Sequence, residues 1–535
     1  MKKLIRNGTV VDGTGRAPFP ADVLLIDDRV AAVGKIEPPE DAEIFDASGM
    51  IVTPALIDIH RHADAKPLLG SRMETELRQG IATIACGVCG FSLAPRFGAY
   101  AGAKRGYDAP ILGAYPDGFR YDFPGYLNAL EAAKPAVNMA AFIGMGAVRI
   151  GVNGMSDAPL TKTQTDAARG MIEEALDAGA AGVSAGIMYL PEFYTTRDEY
   201  RAMLAPLKGR GKPFAVHMRG EGNSMVKSVD EVLSVTEEAD CPLHISHFKS
   251  CGRDNWGREI FRAIERIEAA RRAGRDVTAD FYPYTGGSTS LTTMLPPAFV
   301  AGDMDAALER LGTPEGADAF RASCAVLYPD WDNYAVLLGW DRILISGVVL
   351  KENEKYLGMD VVSAARKYGF ADAEALAAHL MHSEHGATAI INLSMSQSDV
   401  DAVAALDWTN VISDSIYADT NTPHPRMYGA FPRFIRRYAL DEKIMSVEKA
   451  VRKAAALPAK RIGLRDRGVL TEGAYADVLV FDPDTFGDTA TYETPVSYAR
   501  GVKLLTVNGV TRVTDDAVCG EAGGSCLRRT GAAES

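Results

Sequence analysis

Short apolar runs alternate with segments of helical periodicity through most of this chain. The run at 54–57, Pro-Ala-Leu-Ile, has no charged residue and is typical of a short buried strand. Seven comparable runs follow it. The eight predicted strands end near His60, Cys86, Gly144, Ala185, His217, His247, Asp280 and Ser413. Strands that alternate with helices predict a parallel α/β fold, and eight such units predict a (β/α)8 TIM barrel.

The two ends of the chain have a different pattern, in which short strands are separated by turns. Residues 21–26 and 30–33 flank a charged turn and predict a hairpin, and similar strands recur at 476–482 and 502–509. We therefore expect 1–52 and 466–535 to form one small, discontinuous β-sandwich, with residues 515–535 irregular. The catalytic barrel then occupies 53–465. The stretch at about 286–343 is too long for one loop and predicts an inserted subdomain after strand 7, whereas 373–382 resembles an ordinary barrel helix.

Composition limits the partners and the compartment. The 535 residues include 57 Lys and Arg and 70 Asp and Glu, and the net charge of -13 disfavours nucleic acid and anionic membranes as partners. The start of the chain is too polar for a secretory signal, and no run of about 18 apolar residues predicts a membrane span. Seven cysteines, an odd number, are expected to be free thiols. These features predict a cytoplasmic protein and leave its oligomeric state open.

Residues that commonly bind metals occur at five of the predicted strand ends. They are His60 and His62 after strand 1, Cys89 after strand 2, His217 on strand 5, His247 on strand 6 and Asp414 after strand 8. Each one alone has an ordinary explanation as a core residue, a half-exposed polar residue or a helix cap. The C-terminal ends of barrel strands, however, converge on the face that holds active sites in this fold. Their coincidence there favours a metal site, and imidazole ligands suit zinc, iron, nickel and copper.

Four segments carry a family resemblance that runs nearly from end to end. They read GVCGFSLAP at 87–95, HISHFK at 244–249 with GRDNWG at 252–257, DVTADFYPYT at 276–285, and HPRMYGAFPR at 424–433. On these motifs the chain resembles the amidohydrolase superfamily, and within it the N-acyl-D-amino-acid deacylases, or D-aminoacylases. Several superfamily members bridge two metals with a carboxylated lysine on strand 4, which here reads AGVSAG and has none. In the D-aminoacylases a cysteine after strand 2 takes that role, which matches Cys89.

The resemblance implies a zinc-dependent hydrolase that splits the linear amide of N-acyl-D-amino acids into a carboxylate and a free D-amino acid. Its implied partner is therefore a small N-acylated amino acid. The implied metal ligands are Cys89, His217 and His247 at one tight zinc site, and His60, His62 and Asp414, sharing Cys89, at a second and weaker site. Asp414 would also be the catalytic residue that transfers protons. The implied substrate contacts are Lys249 and Arg426 at the α-carboxylate, with Tyr189, Tyr282 and Ser288 beside them.

The sequence departs from the family pattern close to this site. Arg61 and Ala63 interrupt the usual His-Thr-His-Asp-Asp motif, Val88 replaces an asparagine, and Met145 replaces the histidine of a Gly-His-Gly. None of these changes removes a ligand, but all of them bear on substrate preference.

Two alternative functions stay open. One is a cyclic-amide hydrolase of the hydantoinase or dihydropyrimidinase type, and the other is a non-catalytic scaffold with the same fold. The lack of a strand-4 lysine and the presence of Lys249 and Arg426 argue against the first alternative. The retention of all six ligands argues against the second.

Overall fold

The computed structural model describes residues 2–96, 98–114, 116, 118–417 and 421–529. The β-strands, numbered in chain order, are β1 Lys2–Val10, β2 Phe19–Ile26, β3 Arg29–Gly34, β4 Glu43–Asp46, β5 Ile51–Pro54, β6 Leu56–Asp58, β7 Arg61–His62, β8 Ile81–Cys86, β9 Asn138–Ala141, β10 Ile143–Gly144, β11 Val183–Gly186, β12 Phe214–His217, β13 Leu243–Ile245, β14 Val277–Phe281, β15 Gly287–Ser290, β16 Ile343–Gly347, β17 Ala389–Asn392, β18 Thr409–Val411, β19 Ser415–Ile416, β20 Val478–Phe481, β21 Val502–Val507, β22 Val510–Thr514 and β23 Ala517–Val518.

The α-helices are α1 Glu74–Leu77, α2 Ala101–Leu112, α3 Phe123–Ala132, α4 Met145–Asn153, α5 Lys162–Ala178, α6 Arg197–Leu204, α7 Met225–Ala239, α8 Glu259–Arg272, α9 Pro297–Val300, α10 Met304–Leu311, α11 Pro314–Ser323, α12 Tyr334–Leu337, α13 Val361–Tyr368, α14 Ala373–Ser383, α15 Gln397–Ala405, α16 Arg426–Ile435, α17 Val447–Ala454 and α18 Ala456–Arg461. Short 3-10 helices span Pro67–Leu69, Glu192–Tyr194, Ala205–Leu207, Arg253–Asn255, Leu291–Met294, Trp340–Arg342 and Lys351–Tyr356, and a π-helical turn spans Arg436–Asp441.

Eight parallel strands form a closed ring, as the sequence predicts. β6 pairs with β8 and β8 with β9; β10 continues β9 after one residue, and pairing then runs β10-β11-β12-β13-β14-β18. The ring closes where β19 pairs in parallel with β7, beside the backbone hydrogen bond from Asp414 N to His60 O at 3.0 Å. Nearly all residues of the ring strands are buried, as expected when helices cover the outside and side chains fill the inside. The predicted parallel α/β fold is therefore confirmed, and the order of the strands is the one expected of the predicted (β/α)8 barrel.

The helix α5 illustrates how the sequence defines a barrel helix. It begins in a capping box, in which Thr161 Oγ1 accepts a hydrogen bond from Gln164 N and Thr161 N donates to Gln164 Oε1. It ends at Gly179, whose φ of 111° is a conformation that residues with a side chain rarely adopt. Its buried residues recur at helical period and are Ala168, Ile172, Ala175 and Leu176. No helix in the described part of the chain is both long and apolar enough to cross a membrane.

Strands from both ends of the chain form one nine-stranded sheet within the described residues. The hydrogen-bonded order is β23-β22-β21-β20-β5-β1-β2-β3, with β4 paired to β1. Ile5 and Val23 from the N-terminal part share one apolar cluster with Val478 and Val480 from the C-terminal part. Strands from both chain ends therefore contribute to one sheet and one apolar cluster, and a β-sandwich made from them stays a prediction. Beyond β23 the chain has little regular structure up to residue 529.

A second apolar core lies in the segment between β14 and α15. There β15, β17 and β16 form a three-stranded antiparallel sheet, and α9 to α14 pack around it. The prediction that 373–382 is a barrel helix is wrong, because Leu376, Leu380 and Met381 of α14 belong to this second core. The elements that pack around the second core thus continue to Asn392, past the predicted boundary at about residue 343. On this packing we propose that the end sheet, the barrel and the insertion are separate structural units.

Candidate metal centre and active site

The C-terminal ends of the barrel strands bring all six predicted ligands together. His217 is the last residue of β12 and His62 the last residue of β7, and the other four residues lie in the first turns after their strands. Cys89, His247 and Asp414 have φ of 53°, 35° and 49°. Residues with a side chain rarely adopt this left-handed conformation, and such strain concentrates at functional sites. All six side chains are buried.

Cys89 lies at the centre of one group of ligand atoms. Its Sγ is 3.2 Å from His60 Nε2 and 3.4 Å from His247 Nε2. The sulfur and the two nitrogens are close enough to share one ion. Sulfur and imidazole together form a ligand set that zinc favours.

Asp414 connects a second group. Its Oδ1 lies 3.4 Å from His60 Nε2 and 3.4 Å from His62 Nε2. His60 thus belongs to both groups, so the two sets of ligands adjoin each other. This arrangement has the form of two neighbouring metal positions.

A third group contains Glu221, which the sequence analysis missed. Glu221 Oε2 lies 3.8 Å from His217 Nε2, and Glu221 Oε1 lies 3.1 Å from His247 Nδ1. The group His217, Glu221 and His247 could hold an ion as well as the other two. The available signal was the spacing His217-x-x-x-Glu221, which places a carboxylate four residues after a ligand at a strand end.

Asp280, at the end of β14, contacts three of the histidines through its carboxylate. Its Oδ2 lies 3.4 Å from His60 Nδ1 and 2.8 Å from His244 Nε2, and its Oδ1 accepts a hydrogen bond from the backbone of His247. A carboxylate on Nδ1 orients the imidazole so that Nε2 faces the metal position. The sequence analysis recognised Asp280 only as a strand end.

The protonation states follow from burial and charge. Burial lowers the pKa of His62, His217 and His247, and for His217 and His247 the pKa lies well below its ordinary value. These imidazoles are neutral at pH 7, which is the form that binds metals. Burial acts to raise the pKa of Asp414, but the Arg426 guanidinium and His60 outweigh it and hold that pKa well below its usual range.

Burial and neighbouring charges also shift the pKa values of Cys89 and His60. Burial raises the pKa of the Cys89 thiol. Burial acts to lower the pKa of His60, yet the charges of Cys89 and Asp280 raise it well above its ordinary value. A bound cation would reverse this balance, because a coordinating thiol is deprotonated outright.

Several buried polar atoms at the centre point to a missing ligand. His62 Nδ1, both ring nitrogens of His217 and Glu221 Oε2 make no hydrogen bond within the described part of the chain. Buried polar groups are normally satisfied, so each exception calls for an explanation. A divalent metal bound by sulfur, imidazole and carboxylate would satisfy His217 and Glu221. The donor set therefore fits a zinc centre.

Four of the predicted substrate contacts line a cavity beside the metal ligands, which we call the metal cavity. Tyr189, Lys249, Tyr282 and Ser288 line it together with His217, His247 and Asp414. The ring of Tyr189 packs edge-on against His217, with centroids 5.0 Å apart. Arg426 lies at the adjoining wall beside Ser288, and its guanidinium stacks on the ring of Tyr282 at 4.5 Å.

The two predicted carboxylate-binding cations differ in how far they are already paired. Lys249 Nζ donates to Glu221 Oε1 at 2.6 Å and to His247 O at 3.2 Å, and it lies 2.8 Å from His247 Nδ1. Arg426 Nη1 lies 2.8 Å from Asp414 Oδ2, but no guanidinium nitrogen makes a well-directed hydrogen bond to a described residue. Arg426 thus keeps buried donors for an anion, whereas the donors of Lys249 are in use.

Arg61, which interrupts the family motif, is held in a buried network on the far side of His60. Its guanidinium donates to Glu76, Tyr417 and Ser413. Burial acts to lower the pKa of Arg61, but Glu76, Tyr417 and Asp58 together outweigh it and raise that pKa. Arg61 therefore braces the backbone between His60 and His62 and leaves the cavity free.

Comparison with known proteins places this geometry in a family. A profile of the amidohydrolase family matches residues 362–513. The D-aminoacylase of Alcaligenes xylosoxydans xylosoxydans is 32% identical over 534 residues, which cover 99% of this chain and 98% of that enzyme. The chain belongs to the D-aminoacylase family of amidohydrolases.

Solved structures of this family have the same architecture. N-acyl-D-glutamate deacylase from Bordetella bronchiseptica, complexed with zinc and a phosphonate mimic of the tetrahedral intermediate, is 30% identical with a TM-score of 0.83. A D-aminoacylase studied for its binuclear metal centre is 31% identical with a TM-score of 0.82. Each alignment covers 98% of this chain and 99% of the other. Hydantoinases and a dihydropyrimidinase are only 15–17% identical and share the fold alone.

Proposed function

We propose that this D-aminoacylase-family chain hydrolyses the linear amide of N-acyl-D-amino acids, using zinc, and releases a carboxylate and a free D-amino acid. One observation carries the proposal. In a chain related to D-aminoacylase over its whole length, six ligand-type side chains converge, and Arg426, whose guanidinium makes no hydrogen bond within the described residues, lies 2.8 Å from one of them, Asp414. A metal centre next to an anion-binding group is what cleavage of an acylated amino acid requires.

The proposed tight zinc ligands are Cys89, His217 and His247, and the proposed weaker position uses His60, His62 and Asp414 with Cys89 shared. Support for His217 comes from its two unsatisfied ring nitrogens. Glu221 is a further candidate beside His217 and His247. When bound, zinc acts as a Lewis acid, which lowers the pKa of water and polarises the amide carbonyl.

Asp414 is proposed to transfer the proton. Its low pKa keeps it ionised, so it can accept the proton of the attacking water at Oδ1. His62 and His60 orient that oxygen, and Arg426 holds the other one. The same carboxyl group then delivers the proton to the departing nitrogen, because the nitrogen must be protonated before it can leave as a free amine.

Arg426 is proposed to bind the α-carboxylate of the substrate. A planar guanidinium can bind a carboxylate in a bidentate manner, and stacking on Tyr282 fixes its plane. Ser288 and Tyr189 line the approach to the metal ligands. Lys249 is proposed to act beside them. This role rests on family resemblance alone, because the charge of Lys249 is already paired with Glu221.

The cyclic-amide alternative has less support. The fourth strand presents Val183, Ser184 and Ala185 and no lysine, and the hydantoinase structures share the fold only. A scaffold function would not need the buried ligands. We further propose a cytoplasmic location, consistent with the seven free cysteines.

Metal analysis combined with a hydrolysis screen tests the proposal. The purified chain should contain about one zinc and should hydrolyse N-acetylated D-amino acids in preference to their L-enantiomers. The matched control is a hydantoin panel. Zinc-loaded protein that opens hydantoins and leaves all N-acyl amino acids intact would replace the proposal with the cyclic-amide alternative.

A further inference from the structure

A large, mainly apolar cavity adjoins the metal cavity, and nothing in the proposed mechanism uses it. It encloses about 500 Å³, and Phe91, Leu295 and Leu308 lie among its walls. The residues that line both cavities are Ile111, Met188, Tyr189 and Thr289. The two spaces therefore adjoin each other along these four residues. A volume of this size lies in the range that binds drug-sized ligands, far more than an acetyl group occupies.

The large cavity and Arg426 lie on different sides of the metal cavity. Along β15, Ser288 lines the wall shared with Arg426, and the next residue, Thr289, lines the large cavity. Both residues also line the metal cavity, which therefore meets the wall of Arg426 at Ser288 and the large cavity at Thr289. A substrate amide at the metal ligands with its carboxylate on Arg426 has its amino-acid part on the Ser288 side. The part beyond the carbonyl, which is the acyl group, then extends on the Thr289 side.

The helix α2 leaves this space open because one of its sides carries almost no side-chain volume. The residues of α2 along the cavity include Gly102, Ala103, Gly106 and Ala109. A Cβ placed on Gly102 or Gly106 would meet no atom within 4 Å among the described residues. All four residues are exposed, so α2 forms an open wall of the cavity rather than a packed one. The cavity is thus built by the sequence of α2 and bounded opposite by the insertion.

We propose that this cavity binds the acyl group of the substrate, and that the enzyme prefers N-acyl-D-amino acids with long linear acyl chains of about eight carbons or more. This inference rests on the proposed deacylase function. Its physical basis is burial, since each methylene removed from water improves binding about three- to four-fold. The inner walls, Phe91, Ile111 and Leu295, are buried and apolar and suit a hydrocarbon chain.

An acyl series on one D-amino acid provides the first test. The N-acetyl, N-butanoyl, N-hexanoyl and N-octanoyl derivatives of the D-amino acid that the enzyme cleaves fastest are compared. We expect kcat/KM to rise along the series and to be at least ten-fold higher for octanoyl than for acetyl. A flat or falling series overturns the inference.

Gly106→Leu provides the second test, with Gly170→Leu as its matched control. Both glycines are exposed on helices with open space at the Cβ position, but Gly170 lies on α5, away from the cavity. Leucine is the better helix former, so neither change should unfold its helix. We expect Gly106→Leu to lower the octanoyl-to-acetyl ratio of kcat/KM at least ten-fold, and Gly170→Leu to leave both rates unchanged.

The outcomes separate this inference from the function on which it rests. If no N-acyl amino acid is cleaved, the proposed function fails. If N-acetyl-D-amino acids are cleaved but octanoyl brings no gain and the Gly106→Leu ratio is unchanged, only the acyl cavity is overturned. If Gly106→Leu instead selectively impairs N-acetyl substrates with large amino-acid side chains, the cavity binds the side chain, and the acyl assignment is overturned.

Discussion

Arg426 and Asp414 form a buried ion pair, with Nη1 2.8 Å from Oδ2. Arg426 begins α16 and Asp414 follows β18, so the last barrel strand and the helix after it meet at the active site. The other oxygen of Asp414 faces His60 and His62. One carboxylate thus lies between the metal ligands and the guanidinium. A substrate carboxylate on Arg426 would place its scissile bond beside the group that transfers the proton.

Asp414→Asn should separate proton transfer from tight metal binding. Asparagine preserves the shape of the side chain but cannot accept the proton, so we expect kcat to fall by ~10²–10⁴. Zinc should stay at about one per chain, because Asp414 is not one of the three ligands that we propose for the tight site. Steady-state kinetics and elemental analysis on the same preparation measure both quantities. Near-normal turnover would assign the proton transfer to another group.

Cys89→Ala should empty the proposed tight site and abolish activity, since it removes the sulfur ligand that lies 3.4 Å from His247 Nε2. Cys86→Ala is the matched control, because Cys86 is equally buried but its Sγ contacts Tyr126 Oη and Ala140 O instead. The measurement is zinc content after dialysis, together with turnover. Retention of full zinc by Cys89→Ala, or its loss from Cys86→Ala, would contradict the assignment.

The barrel could be predicted because each of its strands is buried on both faces, so the sequence shows short, uninterrupted apolar runs. The extent of the insertion could not be predicted in the same way. The helix α14 has the amphipathic pattern of any packed helix, and that pattern does not specify which core it covers. Leu376 and Met381 pack on the insertion because β17, directly after α14, pairs with β15 and β16.

The candidate ligands could be predicted because strand ends converge, and the position of each ligand follows from the end of its own strand. Glu221 is different, because it lies in a loop whose shape is set by a distant residue. Asp332, in the insertion, accepts backbone hydrogen bonds from Glu221 and Gly222 at 2.7 and 2.6 Å. This contact, 111 residues away in sequence, helps to hold the loop in which the Glu221 carboxylate faces His217 and His247.

Glu221→Gln should weaken metal binding without removing a proposed tight ligand. The carboxylate faces His247 Nδ1 and pairs with Lys249, so its loss leaves the Lys249 charge against the imidazole. Removing such an outer partner typically costs 10–100-fold in metal affinity. Zinc competition with a chelator measures the change, and Glu237→Gln, an exposed residue of α7, is the control. Unchanged affinity would restrict Glu221 to a structural role.

Glu192→Gln should change how stability depends on pH. Burial raises the pKa of Glu192 from 4.5 to about 8. The folded state therefore holds this proton more tightly than the unfolded state, and the contribution to stability is full below about pH 4.5 and is lost as pH rises to about 8.

Glutamine removes this titration, so the free energy of unfolding should fall less between pH 5 and 8 in the variant. At about 1.4 kcal/mol per pKa unit the difference is at most about 4 kcal/mol. Urea unfolding at both pH values measures it. Parallel losses in the two proteins would show that Glu192 is ionised in the folded state.

Arg426→Ala should impair substrates with a free carboxylate far more than substrates whose carboxylate is capped as an amide or methyl ester. The variant also leaves Asp414 without its cation, which lowers turnover of every substrate, so the ratio between free and capped forms is the informative quantity. Truncating a buried charge partner costs about 2–5 kcal/mol, and we expect the ratio to fall by a corresponding factor of at least about 30. Arg433→Ala is the matched control, since Arg433 lies two turns further along α16 and pairs with Asp488.

The preference for D over L should also weaken in Arg426→Ala, because three fixed points, the metal, Asp414 and Arg426, are needed to select one enantiomer. An equal loss for free and capped substrates would assign the α-carboxylate to Lys249 and leave Arg426 as the partner of Asp414 alone.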